Sequence, residues 1–347
     1  MSKILVIRFS ALGDVAMTVP VISSYATAYP NDEITVLTRG FLSPLFSHMP
    51  SNVTFMGVNL DDYKGFWGLN RLYKLLKNEN FDYVADLHNV LRTQFLDVRF
   101  QLSGIKVKKI KKGRKNKKAL TRQKNKQLVD LATSFDRYRN VFLDLGKKDF
   151  EINFKSIYSS KEDSLIEDNS IFDENKKLPE ESWIGIAPFA KHKGKIYPID
   201  LMEKVIAILL ENNNYKIFLF GGGANEEKIF DNWCEKYKNV ISLAGKFDMD
   251  TELKFISKLD VMVSMDSANM HFASLVDTPV VSIWGATHPY CGFLGWGQDY
   301  DNVVQLDMPC RPCSVYGNKE CMYGDYPCLK NIKPETIYSK VVKVLDK

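Results

Sequence analysis

The stretch KILVIRFSALGDVAMTVP, residues 3–20, decides the fold of this 347-residue chain. Its apolar, β-branched run at residues 4–7 predicts a buried strand, and the small residues that follow predict a loop before a helix. A strand, a short loop and a helix form the unit from which open parallel sheets are built, and ligands bind at the loop. The sequence therefore predicts an α/β fold with a ligand site close to residue 14.

Asp14 stands at the start of the predicted helix. In the simplest interpretation it is a helix cap or a first-turn acid, because carboxylates are favoured at helix N-termini. In the second interpretation it is a general base that removes a proton from a hydroxyl bound at the sheet edge. Its position in the sequence is compatible with both roles.

The length and composition of the chain predict two domains of ordinary size, since 347 residues exceed what one core usually supports. No apolar run approaches the roughly 18 residues of a transmembrane helix. Arg8 and Asp14 interrupt the hydrophobic N-terminus, so we expect no signal peptide and a cytoplasmic location.

Strand and helix patterns alternate along the whole chain and predict six or so βα units in each half. Further strands are expected at 33–39, 53–58, 83–87, 150–154, 183–187, 216–220, 240–243, 261–264 and 280–284. Helices are expected at 67–77, 127–142 and 199–210. The predicted organisation is a first domain at 1–155, a linker at 156–180, a second domain at 181–333, and a final helix at 334–347 for which packing on the first domain is one option.

His88, Asn89 and Arg92 follow the predicted strand at 83–87. They therefore lie at the carboxyl edge of a parallel sheet, where substrate contact is favoured over burial.

A basic segment follows, in which 12 of the 47 lysines and arginines lie between residues 106 and 126 without an acid. Most such runs are solvated loops. Nucleic-acid binding is disfavoured because no aromatic residue interrupts the lysines to stack on bases. An anionic lipid surface or a phosphorylated acceptor fits at least as well.

The second half has polar clusters at three predicted strand ends. Lys195 lies in a lysine-rich loop suited to a diphosphate. Three glycines at 221–223 allow a ligand to approach the backbone, and Glu226 follows them as either a ribose ligand or a first-turn acid. The segment 264–271 is polar between a buried strand and an apolar helix, which is costly unless its groups are paired or liganded.

Four of the six cysteines cluster near the C-terminus: Cys310, Cys313, Cys321 and Cys328. A structural zinc site prefers two tight pairs, and only the first pair is tight. We therefore favour reduced thiols and no metal site, with zinc as the less favoured alternative.

These residues together resemble glycosyltransferase family 9, the ADP-heptose:lipopolysaccharide heptosyltransferases. Three stretches carry the resemblance: SALGDVAMTVP at 10–20, KIYP at 195–198, and MDSANMHFASLVDTPVVSIWGATHP at 265–289. They occur in the order that the family uses, and the first and third are the specific ones.

The resemblance implies a GT-B fold, in which two Rossmann-like doubly wound domains face each other across a cleft. The N-terminal domain of such enzymes holds the acceptor, and the C-terminal domain holds the donor. By resemblance, Asp14 is the catalytic base and Lys195 contacts donor phosphate, with Tyr197 in place of the usual tryptophan. Ala268 and Asn269 replace the family's usual glycine and proline.

The site residues expected from these arguments form two sets. The donor set is Lys195, Gly221, Gly222, Glu226, Asp266, Ser267, Ala268 and His271. The acceptor set is Gly13, His88, Asn89, Arg92, Lys112 and Arg114.

The resemblance implies an inverting glycosyltransferase that moves a heptose or related sugar from an ADP-sugar to a lipopolysaccharide inner-core or related lipid-linked saccharide. An acceptor hydroxyl, deprotonated by Asp14, would attack the anomeric carbon opposite the diphosphate. Lys195 and N–H groups beside Ser267 would stabilise the leaving group, so no cofactor is obligatory and Mg²⁺ is an optional assistant.

The expected partners are the nucleotide-sugar, an anionic lipid-linked acceptor and the inner face of the cytoplasmic membrane, without nucleic acid. Two alternatives stay open. One is a nucleotide-sugar epimerase of the same fold, and the other is a non-catalytic homologue that binds nucleotide-sugar or RNA.

Overall fold

A computed structural model describes residues 1–160, 162–165 and 177–347 of the chain. The described residues divide into two compact units. The first unit comprises Met1–Lys112 and Ala132–Ile157, and the second comprises Gly113–Leu131 together with the described part of Tyr158–Lys347. Part of the predicted linker at 156–180 lies outside the described residues.

The first unit is built on a parallel sheet of five strands within the described residues, in the order β3-β2-β1-β4-β5. The strands are β1 (Lys3–Ile7), β2 (Glu33–Arg39), β3 (Val53–Val58), β4 (Tyr83–Asp86) and β5 (Lys106–Lys109). Its helices are α1 (Leu12–Ala16), α2 (Thr18–Ala28), α3 (Gly65–Lys77), α4 (Leu91–Leu102) and, after an excursion into the second unit, α6 (Ser134–Asp144).

The second unit contains a parallel sheet of six described strands in the order β11-β10-β9-β6-β7-β8. The strands are β6 (Ser182–Ala187), β7 (Tyr215–Leu219), β8 (Val240–Ser242), β9 (Val261–Met265), β10 (Val280–Ile283) and β11 (Val303–Val304). The described helices are α5 (Arg114–Thr121), α7 (Ile199–Leu209), α8 (Ala224–Lys236), α9 (Met249–Ile256), α10 (Ala268–Leu275), α11 (Pro327–Lys330) and α12 (Pro334–Leu345). The predicted class of two Rossmann-like α/β domains is therefore confirmed.

Each sheet has one point at which the chain reverses its direction of growth. In the first sheet the chain moves outward from β1 to β2 and β3, then returns to place β4 beside β1. In the second it moves from β6 to β7 and β8, then returns to place β9 beside β6. Crevices at the carboxyl ends of such neighbouring strands are the usual ligand sites of doubly wound folds.

The central strands are buried because their side chains are apolar on both faces, as parallel sheets covered by helices require. Residues 4–7 of β1 are at most 1% exposed, and all five residues of β9 are fully buried. These cores fix the strand ends, and with them the polar loops that follow.

Three predictions about local structure in the first half were wrong. No strand forms at 150–154; Phe150 is buried instead by ring contacts with Tyr25 and Phe142. One edge strand of this sheet is β5, which lies inside the basic segment expected to be a loop. The helix predicted from residue 127 begins at Ser134, where Thr133 caps it by accepting a hydrogen bond from the Asp136 N–H at 3.1 Å.

The unit boundaries also differ from the predicted domains. Residues 113–131, which carry helix α5, belong to the second unit. Lys117 of α5 lies 4.1 Å above the Phe293 ring, and Lys126 donates to the Arg311 carbonyl at 2.8 Å. The final helix α12 buries Ile337, Val341 and Val344 in the second core and belongs to the second unit, and its packing on the first domain stays a prediction.

Candidate functional site

Asp14 lies in the first turn of α1, directly after the end of β1. Its Oδ2 accepts a hydrogen bond from the Ala11 N–H at 3.2 Å, as a first-turn acid does. The same oxygen forms an ion pair with Arg8 Nη2 at 2.9 Å. The side chain is 28% exposed, and Oδ1 takes part in neither contact. The capping role is therefore present, and one carboxylate oxygen is left over.

Arg8 connects the ends of the two strands at the switch point. It is 8% exposed, and its Nη1 donates to the carbonyl of Leu87, which follows β4. Its guanidinium also lies 5.5 Å from the centre of the Tyr138 ring, and the Tyr138 hydroxyl donates to the Asp14 carbonyl at 3.2 Å. A buried guanidinium held at this many points fixes the orientation of the Asp14 carboxylate.

Arg8 was not among the predicted site residues, although its charge interrupts the hydrophobic N-terminus. The signal was a charged residue between the apolar run of β1 and the buried Phe9, since an arginine in such a place is paired when it is buried.

His88 lies beside this pair, across the switch point from β1. Its Nε2 is 3.3 Å from the Ser10 hydroxyl, and its ring meets the edge of Phe9. Burial, followed by the positive charges of Arg8 and Lys112, lowers the pKa of His88 to about 4. His88 is therefore neutral at pH 7 and can accept a hydrogen bond or a proton at this edge.

The loop that carries His88 is held by the buried Asp86 at the end of β4. One carboxylate oxygen of Asp86 accepts from the N–H groups of His88 and Asn89, both at 2.8 Å. The other oxygen accepts from the Thr93 hydroxyl at 2.7 Å. Asp86 thus fixes the loop from a fully buried position, a role that the sequence analysis did not predict.

The other predicted acceptor residues differ in their positions and in whether their polar groups already have partners. Gly13 lies in α1 beside Asp14, and Lys112 is near enough to His88 to affect its pKa. Arg92 lies in the first turn of α4 and lines a cavity. The Asn89 amide, however, already donates to the Ile110 carbonyl at 3.0 Å and accepts from Gln94 at 2.8 Å.

Arg114 begins α5, is exposed, and belongs to the second unit. Its expected place on the first domain was therefore wrong, because the chain crosses to the second unit one residue earlier. Its role in acceptor binding stays a prediction.

Lys195 and Asp266 meet at the switch point of the second sheet. Lys195 follows β6, Asp266 follows β9, and the ammonium lies 2.8 Å from Asp266 Oδ2 and 3.0 Å from the Asp266 carbonyl. Gly317 (φ 76°) packs against the lysine stem, and a Cβ there would lie 2.6 Å from Lys195 Cγ. The ammonium is thereby fixed at the end of the strand.

The rest of the 265–271 cluster forms the turn into α10. Ser267 is the residue before the helix, and its hydroxyl lies 3.2 Å from that of Ser264. Ala268 opens the helix and is half-buried, whereas His271 is 6% exposed one turn later. Ser267 and the first N–H groups of α10 therefore stand beside the Lys195–Asp266 pair.

Glu226 and Glu227 act on the glycine-rich turn itself. Glu226 accepts from the Gly222 N–H at 2.9 Å, and Glu227 accepts from the Gly223 N–H at 3.2 Å. A Cβ on Gly221 would lie 2.5 Å from Glu226 Oε2, so a larger residue there would displace the carboxylate from this contact. These contacts agree with the first-turn interpretation of Glu226.

The four clustered cysteines are free thiols that line one cavity of about 120 Å³. In the part of the chain that the structure describes, no three His, Cys, Asp or Glu side chains are arranged to hold a metal ion. Among the same described residues, no helix has the length and apolarity needed to span a bilayer.

Comparison with known proteins shows which family this site belongs to. A model of glycosyltransferase family 9 (heptosyltransferase) matches residues 69–323. Lipooligosaccharide heptosyltransferase 2 of Haemophilus influenzae is 25% identical over 99% of this chain and 100% of that protein. Lipooligosaccharide heptosyltransferase 2 of Campylobacter jejuni is 26% identical over 38% of this chain, which spans only 42% of that relative.

Solved structures agree on the fold. The glycosyl transferase family 9 protein of Veillonella parvula has a TM-score of 0.75 at 18% identity, covering 99% of this chain and 97% of that one. The ADP-heptose lipopolysaccharide heptosyltransferase II of Escherichia coli has a TM-score of 0.72 at 18% identity, covering 99% and 98%.

Proposed function

We propose that this chain, which belongs to glycosyltransferase family 9 because the family model covers residues 69–323, moves a heptose from an ADP-sugar to a lipid-linked lipopolysaccharide core saccharide. The chain is a glycosyltransferase by that membership, and its relatives are named as heptosyltransferases of lipooligosaccharide or lipopolysaccharide. The observation that carries the proposal is the position of its polar motif residues. Asp14 lies at one switch point, and the Lys195–Asp266 pair lies at the other.

In this proposal the second unit binds the donor diphosphate. An ammonium group has three N–H donors, of which Lys195 uses one for the Asp266 carbonyl, while Asp266 Oδ2 is its ion-pair partner. In this proposal the ammonium also donates to a phosphate oxygen. Ser267 and the N-terminus of α10 add further donors and the positive end of the helix dipole. Ala268 and His271 on the same helix, and the glycine turn with Glu226, complete the proposed donor surface.

The first unit supplies the base in this proposal. Asp14 Oδ2 is held by Arg8 and Ala11, so Oδ1 is the atom that accepts the proton of the acceptor hydroxyl. The oxygen of that hydroxyl forms a bond to the anomeric carbon while the bond from this carbon to the diphosphate oxygen breaks. Attack from the opposite face inverts the configuration, and the nucleoside diphosphate leaves with the electron pair.

The leaving diphosphate gains negative charge, which Lys195 and the α10 N–H groups stabilise in place. We therefore propose that no cofactor is obligatory and that Mg²⁺ only assists. Transfer that continues in EDTA at a rate within about threefold of that in Mg²⁺ supports this, and complete loss of transfer in EDTA contradicts it.

We also propose that the enzyme works at the inner face of the cytoplasmic membrane. Helix α5 exposes Arg114, Lys115 and Lys118, and the following loop exposes Leu128 and Val129 by 50% and 58%. Cations beside exposed apolar side chains suit the surface of an anionic bilayer. The same surface lacks the aromatic side chains that would suit nucleic acid.

The experiment that tests the function offers ADP-heptose, ADP-glucose, GDP-mannose and UDP-N-acetylglucosamine separately, with a lipopolysaccharide that lacks core heptose as acceptor. Mass spectrometry of the lipid product is expected to show one heptose added from ADP-heptose alone. Transfer of another sugar contradicts the donor assignment, and no transfer from any donor contradicts the function. An isomerised nucleotide-sugar in reactions without acceptor identifies the epimerase alternative instead.

A further inference from the structure

Helix α4 of the first unit exposes a row of large apolar side chains. Leu91, Phe95, Val98 and Leu102 recur at intervals of three or four residues, so they lie on one side of the helix. Leu91 is 86% exposed, Val98 53% and Leu102 80%, whereas Phe95 is half-buried. At 100° per residue this side is opposite to the one that buries Phe100 in the core.

Two aromatic side chains at the start of α3 extend this row. The Phe66 ring lies 5.4 Å from the Phe95 ring and 5.3 Å from the Trp67 ring, measured between ring centres. Phe66 is 59% exposed and Trp67 is 78% exposed. Single exposed apolar residues are ordinary, but a contiguous cluster marks an interaction surface. The cluster, here called the α3–α4 face, consists of Phe66, Trp67, Leu91, Phe95, Val98 and Leu102.

The charges that accompany this face are positive. Helices α3 and α4 carry five cations: Arg71, Lys74, Lys77, Arg92 and Arg99. The one acid on the two helices, Asp97, is fully buried. Exposed acids occur only outside the helices, and Asp61 ahead of α3 is paired with Lys64 at 2.7 Å. The two helices therefore present apolar and cationic side chains without an exposed carboxylate.

These charges distinguish between two possible partners of the face. In a symmetric dimer the same surface meets itself, so the cations of α3 and α4 would meet their own copies without an exposed acid from either helix. An anionic bilayer instead supplies headgroup phosphates for the cations and an apolar layer for the side chains. Tryptophan and phenylalanine also favour the boundary between headgroups and acyl chains.

We propose that the α3–α4 face inserts into the surface of an anionic phospholipid bilayer, with its cations at the headgroup phosphates. The inference rests on the proposed function in its location at the inner face of the cytoplasmic membrane. It goes beyond the contact proposed for α5, because the bilayer here buries apolar side chains of the first unit. The first unit also carries the proposed base, so insertion would bring that unit to a lipid-linked acceptor.

Quenching of tryptophan fluorescence by brominated lipid tests the insertion directly. Trp67 is one of five tryptophans, of which Trp183, Trp233 and Trp284 are at most 3% exposed and Trp296 is half-buried. With phosphatidylglycerol vesicles, bromine on the acyl chains is expected to remove at least about one-fifth of the emission, since this one tryptophan enters the boundary by about 5–10 Å. Trp67→Phe, which keeps an aromatic ring, should lose the quenching. Absence of quenching in the wild type, or its persistence in Trp67→Phe, overturns the proposal.

Vesicle sedimentation measures what the apolar side chains contribute. Replacing Leu91 and Leu102 together by glutamine is expected to weaken binding to phosphatidylglycerol vesicles at least about tenfold, because affinity scales with the apolar area buried. The matched control replaces Leu165 and Leu178, which are 54% and 58% exposed in the second unit, and should leave binding unchanged. A circular-dichroism melt checks that both variants fold. Wild-type affinity in the Leu91/Leu102 variant, or an equal loss in the control, overturns the proposal.

Two further measurements test the choice of partner. Phosphatidylcholine vesicles, which carry no net charge, are expected to bind the wild type at least about tenfold more weakly than phosphatidylglycerol vesicles. Equal binding of the two lipids overturns the role of the cations. Analytical ultracentrifugation tests the second copy, because a wild-type dimer that dissociates in the Leu91/Leu102 variant would assign the face to another chain and overturn the proposal.

The same measurements separate this inference from the proposed function and from α5. A variant with Arg114, Lys115 and Lys118 replaced by glutamine is expected to keep the quenching of Trp67 at vesicle concentrations that restore its binding. If the wild type inserts but transfers no sugar to any acceptor, the function fails and the α3–α4 face stands. If it transfers heptose while bromine leaves Trp67 unquenched, this inference fails alone.

Discussion

Asp14 and Arg8 form the contact on which the proposed chemistry depends. The 2.9 Å ion pair orients a carboxylate that would otherwise rotate, because Arg8 is itself anchored to the Leu87 carbonyl and the Tyr138 ring. Arg8 therefore positions the base and does not react itself.

Arg8→Gln is expected to lower kcat for transfer at least about tenfold while the Kd for ADP stays within about twofold. The stability of the protein should fall by about 1–3 kcal/mol, because the substitution leaves buried partners unpaired. Steady-state kinetics, ADP titration and urea unfolding measure the three effects. Arg71→Gln, at an exposed arginine of α3, is the matched control. A normal kcat in Arg8→Gln would remove the positioning role.

A second residue-scale expectation concerns Asp97, which lies fully buried on α4 behind Asp86. Burial and then the Asp86 carboxylate raise the pKa of Asp97 to about 8, and the Lys109 ammonium at 3.9 Å compensates only partly. The folded chain thus keeps a proton that the unfolded chain releases above pH 4. The contribution of this group to the free energy of unfolding is fully present below about pH 4 and is lost as the pH rises to 8.

Asp97→Asn should remove this dependence. Urea unfolding of the wild type between pH 5 and pH 8 is expected to include a decline from this group of at most about 1.4 kcal/mol per pH unit. The variant is expected to lose that component, and the exposed Glu79→Gln control to keep it. A variant whose decline matches that of the wild type would refute the buried proton.

At the scale of elements, β5 is a strand that the sequence pattern did not predict. Its residues, KVKK, carry three lysines and read as part of a charged run. An edge strand pairs on one side only, however, and lysines at an edge discourage association with other chains. By contrast, residues 150–154, where a strand was predicted, form none, and Phe150 packs against Tyr25 and Phe142 instead.

Helix α5 is the element that should bind the membrane. Replacing Arg114, Lys115 and Lys118 together by glutamine is expected to weaken binding to phosphatidylglycerol vesicles at least about tenfold, since each cation near such a surface contributes about 1 kcal/mol. Sedimentation at 50 and 500 mM NaCl measures this binding, which salt should weaken in the wild type.

The control for this measurement removes three exposed lysines of the second unit that lie outside α5: Lys204, Lys228 and Lys238. If the control triple variant binds as weakly as the α5 variant, net charge and not α5 determines the binding. Binding that is indifferent to salt contradicts the electrostatic account.

At the scale of the whole molecule, the sequence predicted the two α/β domains and the positions of most strands, but not the order of the strands in each sheet. Apolar runs predicted most strands, and the loops after β1, β4, β6 and β9 were predicted as the site because parallel strands end at one edge. The sequence could not predict that residues 113–131 belong to the second unit, because they join it through long-range contacts such as that of Lys126 with Arg311. Arg8 and Asp86 were not predicted as site residues, because the contacts of Arg8 with the Leu87 carbonyl and of Asp86 with the His88 and Asn89 N–H groups depend on how the two loops fold.

The central claim is that a base on one unit and a donor site on the other carry out sugar transfer, and the Asp14→Asn variant tests it most directly. Asparagine keeps the size of the side chain and an oxygen for Arg8, but it cannot take the proton. With ADP-heptose and a heptose-deficient lipopolysaccharide, kcat is expected to fall at least about 100-fold while the Kd for ADP stays within about twofold of wild type. Transfer at the wild-type rate by Asp14→Asn would contradict the account.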